Sequence, residues 1–163
     1  MLLLDHTGEI ANRWTEVAEE AALPDGPVIL PLSRIAEAEG RPETGVHLPN
    51  TADPRPLPPH FPHLALISVA FPSFADGRGF SIARCLREIG YTGRLRASGP
   101  VIADQFGYLL ECGFDEVWLP ESVAKRQPAA DWLDRLGAVS LSYQRGREGR
   151  ASILDRRRAA SGR

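Results

Sequence analysis

The stretch LALISVAF, residues 64–71, is almost continuously apolar. A run of this length and composition is typical of a central β-strand that is covered on both faces. The stretch FADGRGFSIARCLREIG, residues 74–90, follows it and places Ile82, Leu86 and Ile89 at helical spacing. Together the two stretches predict a strand, a glycine-containing loop and an amphipathic helix.

The same alternation continues along the chain. GRLRASG at 93–99 and DEVWLP at 115–120 predict strands, and VIADQFGYLLECG at 101–113 predicts a helix between them. Helical turns around Pro128 and an edge strand at 138–144 complete the pattern. Strands and helices at this short spacing predict right-handed crossovers and a mainly parallel sheet flanked by helices.

The first part of the chain predicts shorter elements. MLLLDHTGEI at 1–10 indicates a hairpin, the stretch 16–22 a short helix, and PVILPL at 27–32 a strand. Six prolines between 49 and 62 indicate a connector, because proline cannot donate to a strand ladder. This part is too small to hold a core of its own.

We therefore predict a single α/β domain over residues 1–145. Within it, 1–62 is an N-terminal elaboration with a proline-rich connector, and 63–145 holds the core strand and helix units. Residues 146–163 are rich in arginine, glycine and serine and predict a disordered basic tail.

Charge is distributed unevenly along the chain. From residue 144 onward there are seven arginines against Glu148 and Asp155, and the rest of the chain has 12 basic and 19 acidic residues, a net charge of −7. An acidic body of this kind gives no case for nucleic-acid binding and is suited to meeting a basic protein surface.

Several classes of site and location are not indicated by the sequence. It has no signal-peptide pattern and no membrane-span pattern, and its two cysteines, Cys85 and Cys112, form no CxxC pair, so we predict a cytoplasmic protein with reduced thiols. Its four histidines are scattered and predict no metal site. Because no nucleotide, haem or cluster fingerprint is present, we predict no cofactor.

Polar residues and glycines cluster where the predicted strands end. Ligands of open α/β sheets bind beyond the carboxyl ends of the strands, and free N–H groups at a helix start favour anions. The residues that we predict to line such a ligand-binding rim are Asp76, Gly77, Arg78, Gly79, Ser81, Arg96, Ser98, Asp104 and Gln105. In this hypothesis Arg78 and Arg96 hold a small oxyanion, and the two glycines adopt backbone conformations that other residues do not.

A structural interpretation of the same residues stays open. Arg96 lies within a predicted strand between helical layers, where a guanidinium needs a carboxylate partner, and Asp76 and Asp104 are the candidates. In that case Arg96 and an aspartate form an ion pair that fixes the loop, and Asp104 stabilises its helix start.

The stretches FPSFADGRGFSIARCLREIGYTGRLRASG and ADQFGYLLECGFDEVWLP together resemble a bacterial family of small proteins of unknown function. The resemblance covers about residues 64–120. The matching positions are Phe74, Asp76, Gly77, Arg78, Gly79, Ser81, Ala83, Leu86, Arg87, Gly93, Leu95, Arg96, Ala97, Gly99, Asp104, Gln105, Cys112, Gly113, Phe114 and Asp115. Pro100 departs from the pattern, since members more often have an acidic residue there.

Genes of that family usually stand near genes of sulfite reductase and sulfate assimilation, and members often carry the description "oxidoreductase probably involved in sulfite reduction". The resemblance thus implies a place in sulfur assimilation and leaves the chemistry open. Two functions follow: an accessory protein that binds sulfite reductase or its electron donor, or a small enzyme or binding protein for an anionic metabolite such as sulfite, sulfate or a phosphate group at the Asp76/Arg78/Arg96 rim.

Overall fold

The computed structural model describes residues 1–138, which form an α/β structure around one sheet of eight strands. The strands are β1 (Leu2–Asp5), β2 (Gly8–Glu9), β3 (Thr15–Glu16), β4 (Val28–Pro31), β5 (Thr44–Leu48), β6 (Leu66–Ala70), β7 (Arg94–Ser98) and β8 (Glu116–Leu119). Their order across the sheet is β2-β1-β8-β7-β6-β5-β4-β3. Neighbours from β3 to β8 are parallel, and β1 runs antiparallel to both β2 and β8.

Residues 1–138 also form four α-helices and three 3-10 segments. The helices are α1 (Arg78–Glu88), α2 (Phe106–Glu111), α3 (Glu121–Ala124) and α4 (Ala129–Ala138), and the 3-10 segments are Leu32–Ala38, Pro58–His63 and Ala103–Gln105. A left-handed glycine follows α2: Gly113 has φ +103°, and the amide of Phe114 donates to the carbonyl of Leu109 at 3.1 Å. This hydrogen bond and the left-handed Gly113 form the Schellman cap that ends α2.

All these helices pack on one face of the sheet. The main core joins alternate strand residues, such as Ile67 and Val69 of β6, to Leu86 of α1, Phe106 of α2 and Trp132 of α4. The reason is the strand order: each crossover from β3 to β8 moves one strand in the same direction, so right-handed connections all fall on the same side. The predicted α/β fold with a mainly parallel sheet is confirmed, and within residues 1–138 the helices lie on one face of that sheet.

The predicted central strand and the hairpin are confirmed. β6 lies inside the sheet between β5 and β7, within the predicted range 64–71. β1 and β2 form the antiparallel hairpin predicted at the start of the chain. The residues before 63 contribute five of the eight strands.

The predicted helix at 16–22 is wrong. Glu16 belongs to β3, and the amide of Val17 continues the pairing by donating to the carbonyl of Ile29 at 2.9 Å. Trp14 packs in a small cluster with Ile29 and Leu66, whereas Val17 packs in the main core. Trp14 and Val17 are three residues apart, so their side chains reach opposite faces in a strand but would share one face in a helix. Their burial in two different clusters therefore requires the extended conformation.

The predicted strand at 138–144 and the predicted tail at 146–163 lie outside the described residues, apart from Ala138, which ends α4.

The loop after β6 crosses closely over the loop after β7. The amide of Phe71 donates to the carbonyl of Ser98 at 2.7 Å, and Gly99, with φ +138°, donates to the carbonyl of Trp118 at 3.0 Å. A Cβ on Gly99 would clash with the carbonyl oxygen of Phe71. Only glycine allows both this φ and this approach.

We expect Gly99→Ala to destabilise the protein far more than Gly40→Ala. Gly40 also has a positive φ of +74°, but nothing lies within 4 Å of the added methyl group, so it carries only the backbone cost of about 1–2 kcal/mol. Urea unfolding of the two variants measures the difference. Equal losses of unfolding free energy would show that the crossing is not tightly packed.

Candidate functional site

The loop of the predicted rim that contains Asp76 lies at the carboxyl ends of β5 and β6. Asp76, in the loop between β6 and α1, accepts hydrogen bonds from the Nδ2 of Asn50 at 2.6 Å and from the Nη2 of Arg78 at 2.6 Å. Its Oδ1 also accepts from the Nε of Arg78 at 3.0 Å and from the Arg78 amide at 3.2 Å. Asp76 therefore links two loops and the start of α1.

These contacts set the charge state of the rim. The hydrogen bonds from Arg78 lower the pKa of Asp76 from its ordinary 3.8 to about 2. The guanidinium of Arg78 remains exposed over 59% of its side chain. Because Nε and Nη2 of Arg78 both donate to Asp76, this pair is suited to a structural role. Only the remaining, exposed side of the guanidinium is open to a ligand.

Neither glycine of this loop has a left-handed backbone conformation, which corrects their predicted role. Gly77 has ordinary helical angles, with φ −81°, and Gly79 is absent from the positive-φ glycines of the described chain. A Cβ on Gly79 would clash with the ring of Phe71. Gly79 thus lets α1 approach the loop that follows β6.

The remaining rim residues lie in different surroundings. Gln105 donates from Nε2 to the carbonyl of Phe74 at 2.7 Å and so connects the loops after β6 and β7. Asp104 is exposed and pairs with Arg135 at 3.1 Å. Ser81 is exposed on α1, and Ser98 is half-buried at the end of β7.

Beside Gln105 the rim contains a small open cleft of about 300 Å³. Residues after β6, β7 and β8 line it: Phe74, Pro100, Ile102, Val123, Arg126 and Gln127. Its lining is mainly apolar with one arginine, a composition suited to an apolar or aromatic group of a partner.

A second group of polar residues crosses the middle of the sheet on the face without helices. The register aligns His47, Ser68, Arg96, Glu116 and Asp5 on five adjacent strands, and we call them the polar row. Their neighbours along the strands, such as Leu95 and Ala97, belong to the main core on the helical face. Since side chains alternate, the polar row points to the opposite face.

Arg96 pairs with Glu116 and with neither predicted aspartate. The Nε of Arg96 lies 2.7 Å from the Oε1 of Glu116, and the two side chains are only 1% and 2% exposed. The guanidinium also stacks 5.8 Å from the ring centre of Trp118. Asp76 and Asp104 are bound to other arginines, so the predicted pairing of Arg96 is wrong, although a buried ion pair is present.

Arg78 and Arg96 therefore do not share a site. Arg78 begins α1 on the helical side, whereas Arg96 lies on the opposite face. The sequence places both arginines near strand ends but does not reveal that Arg96 is in the middle of β7.

Both ends of the polar row make further polar contacts. Glu116 also binds the Nη2 of Arg94 at 2.9 Å through Oε2, so one carboxylate serves two guanidinium groups. His47 lies 3.2 Å from the Ser68 hydroxyl through Nδ1, and burial lowers the pKa of His47. A neutral imidazole is thus favoured near neutral pH.

Sequence reasoning missed Asn50, Glu116 and His47. Glu116 left a signal: β7 and β8 each carry a charged residue among apolar ones, at positions 96 and 116. Asn50 follows a proline in a loop, and its contact with Asp76 spans 26 residues, so no local pattern predicts it.

Within residues 1–138, no group of histidines, cysteines and carboxylates is arranged to hold a metal ion, and no helix is long and apolar enough to cross a membrane. Cys112 is buried in the main core, and Cys85 is half-buried on α1; neither forms a disulfide.

We expect Asp76→Asn to lower the melting temperature in a pH-dependent manner. The folded-state pKa of about 2 lies below the ordinary 3.8, so this carboxylate stabilises the fold above about pH 4 and loses its effect as the pH falls towards 2. Melting curves of both proteins from pH 6 to pH 2 should converge at the acid end. A constant difference across that range would contradict a charge-based role.

We also expect Glu116→Ala to cost more stability than Arg96→Met. Removing Glu116 leaves the buried Arg96 without its carboxylate, a loss of about 3–5 kcal/mol for a broken buried pair. In Arg96→Met, Glu116 keeps its bond to Arg94 and methionine fills much of the space. Equilibrium unfolding in urea compares the variants, and an equal or larger loss for Arg96→Met would refute this account.

Comparison with known proteins gives a family match. The family model DUF934, described as a bacterial protein of unknown function, matches residues 45–154. No curated protein and no solved structure matches the chain. The matched range contains β6, α1, β7, α2 and β8, with the rim and most of the polar row. Because it covers more than half of the sequence, this chain belongs to the DUF934 family.

Proposed function

We propose that this protein is an accessory protein of assimilatory sulfite reduction, which acts by binding sulfite reductase or its electron donor. The resemblance of residues 64–120 to proteins encoded near sulfite reductase supports the pathway. An exposed aromatic surface on the same stretch supports the mode of action. In this proposal the protein works in the cytoplasm and carries no redox centre of its own.

The aromatic surface consists of Phe74, Arg84 and Tyr108. Phe74 is 57% exposed and Tyr108 is 45% exposed, and besides Met1 they are the exposed large apolar side chains of residues 1–138. The arginine and the tyrosine lie side by side, with 5.4 Å between the guanidinium carbon and the ring centre. This surface is the observation that carries the proposal.

Contacts below the surface hold the ring of Tyr108 and the backbone of Phe74 in place. The ring of Tyr108 packs 4.8 Å from the ring of Phe80, which in turn packs 5.2 Å from the buried Phe71. The backbone of Phe74 is held by the Gln105 bond described above. A preorganised surface loses less conformational entropy on binding.

The composition of the surface fits a protein partner. Tyrosine, phenylalanine and arginine are enriched at the centres of interfaces and contribute most of their binding energy. Arg84 has no carboxylate partner within residues 1–138, so an acidic group of the partner is its natural complement. The cleft beside Phe74 offers an adjacent pocket for an apolar side chain.

The second candidate is an enzyme or binding protein for an anionic metabolite at the Asp76/Arg78/Arg96 rim. The open side of Arg78 favours it. The pairing of Arg78 with Asp76 and the position of Arg96 on the other face of the sheet weaken it. We therefore place it behind the accessory function.

We expect a strain lacking this gene to need reduced sulfur and to be rescued by the wild-type gene. A gene encoding Phe74→Ala with Tyr108→Ala should fail to rescue growth on sulfate, because the variant lacks both anchors of the interface. Arg55→Ala is the matched control, since Arg55 is 80% exposed and is not one of the residues of the aromatic surface.

Purified variants should keep the wild-type melting temperature within a few degrees, because substitutions of exposed side chains usually change stability by about 0.5 kcal/mol or less. Affinity purification from cells grown on sulfate should recover sulfite reductase or its electron donor with wild type and with Arg55→Ala only. Normal growth of the deletion strain on sulfate would remove the pathway, and full rescue by the double variant would remove the surface.

A further inference from the structure

We propose that the polar row is a binding site for a small oxyanion, held by the two terminal nitrogens of Arg96 on the face of the sheet opposite the helices. This inference does not rest on the proposed function, since it concerns a different face of the molecule. It also differs from the predicted rim site, because Arg78 takes no part in it.

Part of the Arg96 guanidinium is buried without a hydrogen-bond acceptor within residues 1–138. Nη1 and Nη2 of Arg96 are buried and have no hydrogen-bond partner within residues 1–138, while Nε is bound to Glu116. Buried polar groups in folded proteins are nearly always paired, and a charged one is especially costly to leave unpaired. An anion on this edge of the guanidinium supplies the missing acceptors.

The guanidinium is already fixed in one orientation. Glu116 holds it at Nε, and the ring of Trp118 lies against it at 5.8 Å. Glu116 in turn is fixed by its second bond to Arg94. A rigid fork with two parallel N–H groups is the geometry that binds two oxygens of one anion at once.

The neighbouring strand offers a third donor. Ser68 stands beside Arg96 in the register and is fully buried on the same face. When the Nδ1–H of His47 donates to the Ser68 oxygen, 3.2 Å away, the serine hydroxyl is free to donate to a ligand. Donors from two strands favour an ion with several oxygens, such as sulfate, sulfite or phosphate.

The charges around the row do not repel an added anion. Arg94 and Arg96 are matched by the carboxylates of Glu116 and Asp5, and Glu116 is shared by both arginines, so no surplus negative charge faces the terminal nitrogens of Arg96. Asp5 lies 3.9 Å from Arg94 at the far end of the row and serves that arginine. The half-exposed Arg94 marks where the row meets solvent.

The test measures the melting temperature of the full-length protein with sodium sulfate, sulfite or phosphate, against sodium chloride at equal ionic strength. A ligand of the folded state raises the melting temperature in a saturable manner. We expect Arg96→Lys, which keeps the charge but loses the fork, to weaken the apparent affinity about tenfold or more. Ser68→Ala should also weaken it, and serves if Arg96→Lys does not fold.

Three outcomes would overturn the proposal. One is the absence of a saturable shift with any of the three anions. Another is a shift that survives in Arg96→Lys and Ser68→Ala but is lost in Arg78→Lys, which would place the anion at the rim. The third is a lower melting temperature of Glu148→Gln or Asp155→Asn in the absence of added anion. That result would make a carboxylate of the chain itself the partner of Arg96.

Discussion

The strand order constrains everything else in this protein. From β3 to β8 each strand lies beside the preceding one, and every crossover moves across the sheet in the same direction. Right-handed connections then place all the helices of the described chain on one face. The order does not reverse among these parallel strands, so the crevice at which doubly wound sheets usually bind ligands does not form.

This asymmetry gives the two faces of the sheet different chemistry. The helical face is a continuous apolar core, from Leu4 on β1 to Val28 on β4. The other face has a small apolar cluster around Trp14 and the polar row through its centre. An arginine and a glutamate are tolerated inside the sheet because they pair with each other, and Arg94 satisfies the second oxygen of the carboxylate.

Many positions that carry the family resemblance have structural roles. Arg87 donates to the carbonyls of Tyr91, Gly93 and Gly113 and to the carboxylate of Asp115, and so ties the end of α1 to the starts of β7 and β8. Asp115 also accepts from the amide of Leu95 at 2.8 Å. The two surfaces that we propose for function, the aromatic surface and the edge of Arg96, lie outside this network.

The sequence by itself determined the elements whose signal is local: the buried strand β6, the amphipathic α1, the hairpin and the helix α2. It also located the rim loop, because glycines and charges next to a helix start are visible in the chain. It could not determine the partner of Arg96, since Glu116 is 20 residues away and its pairing depends on the register of β7 against β8. Nor could it show that one face of the sheet lacks helices. That depends on which strands become neighbours in the sheet, and the local apolar periodicity of the strands and helices is the same for either strand order.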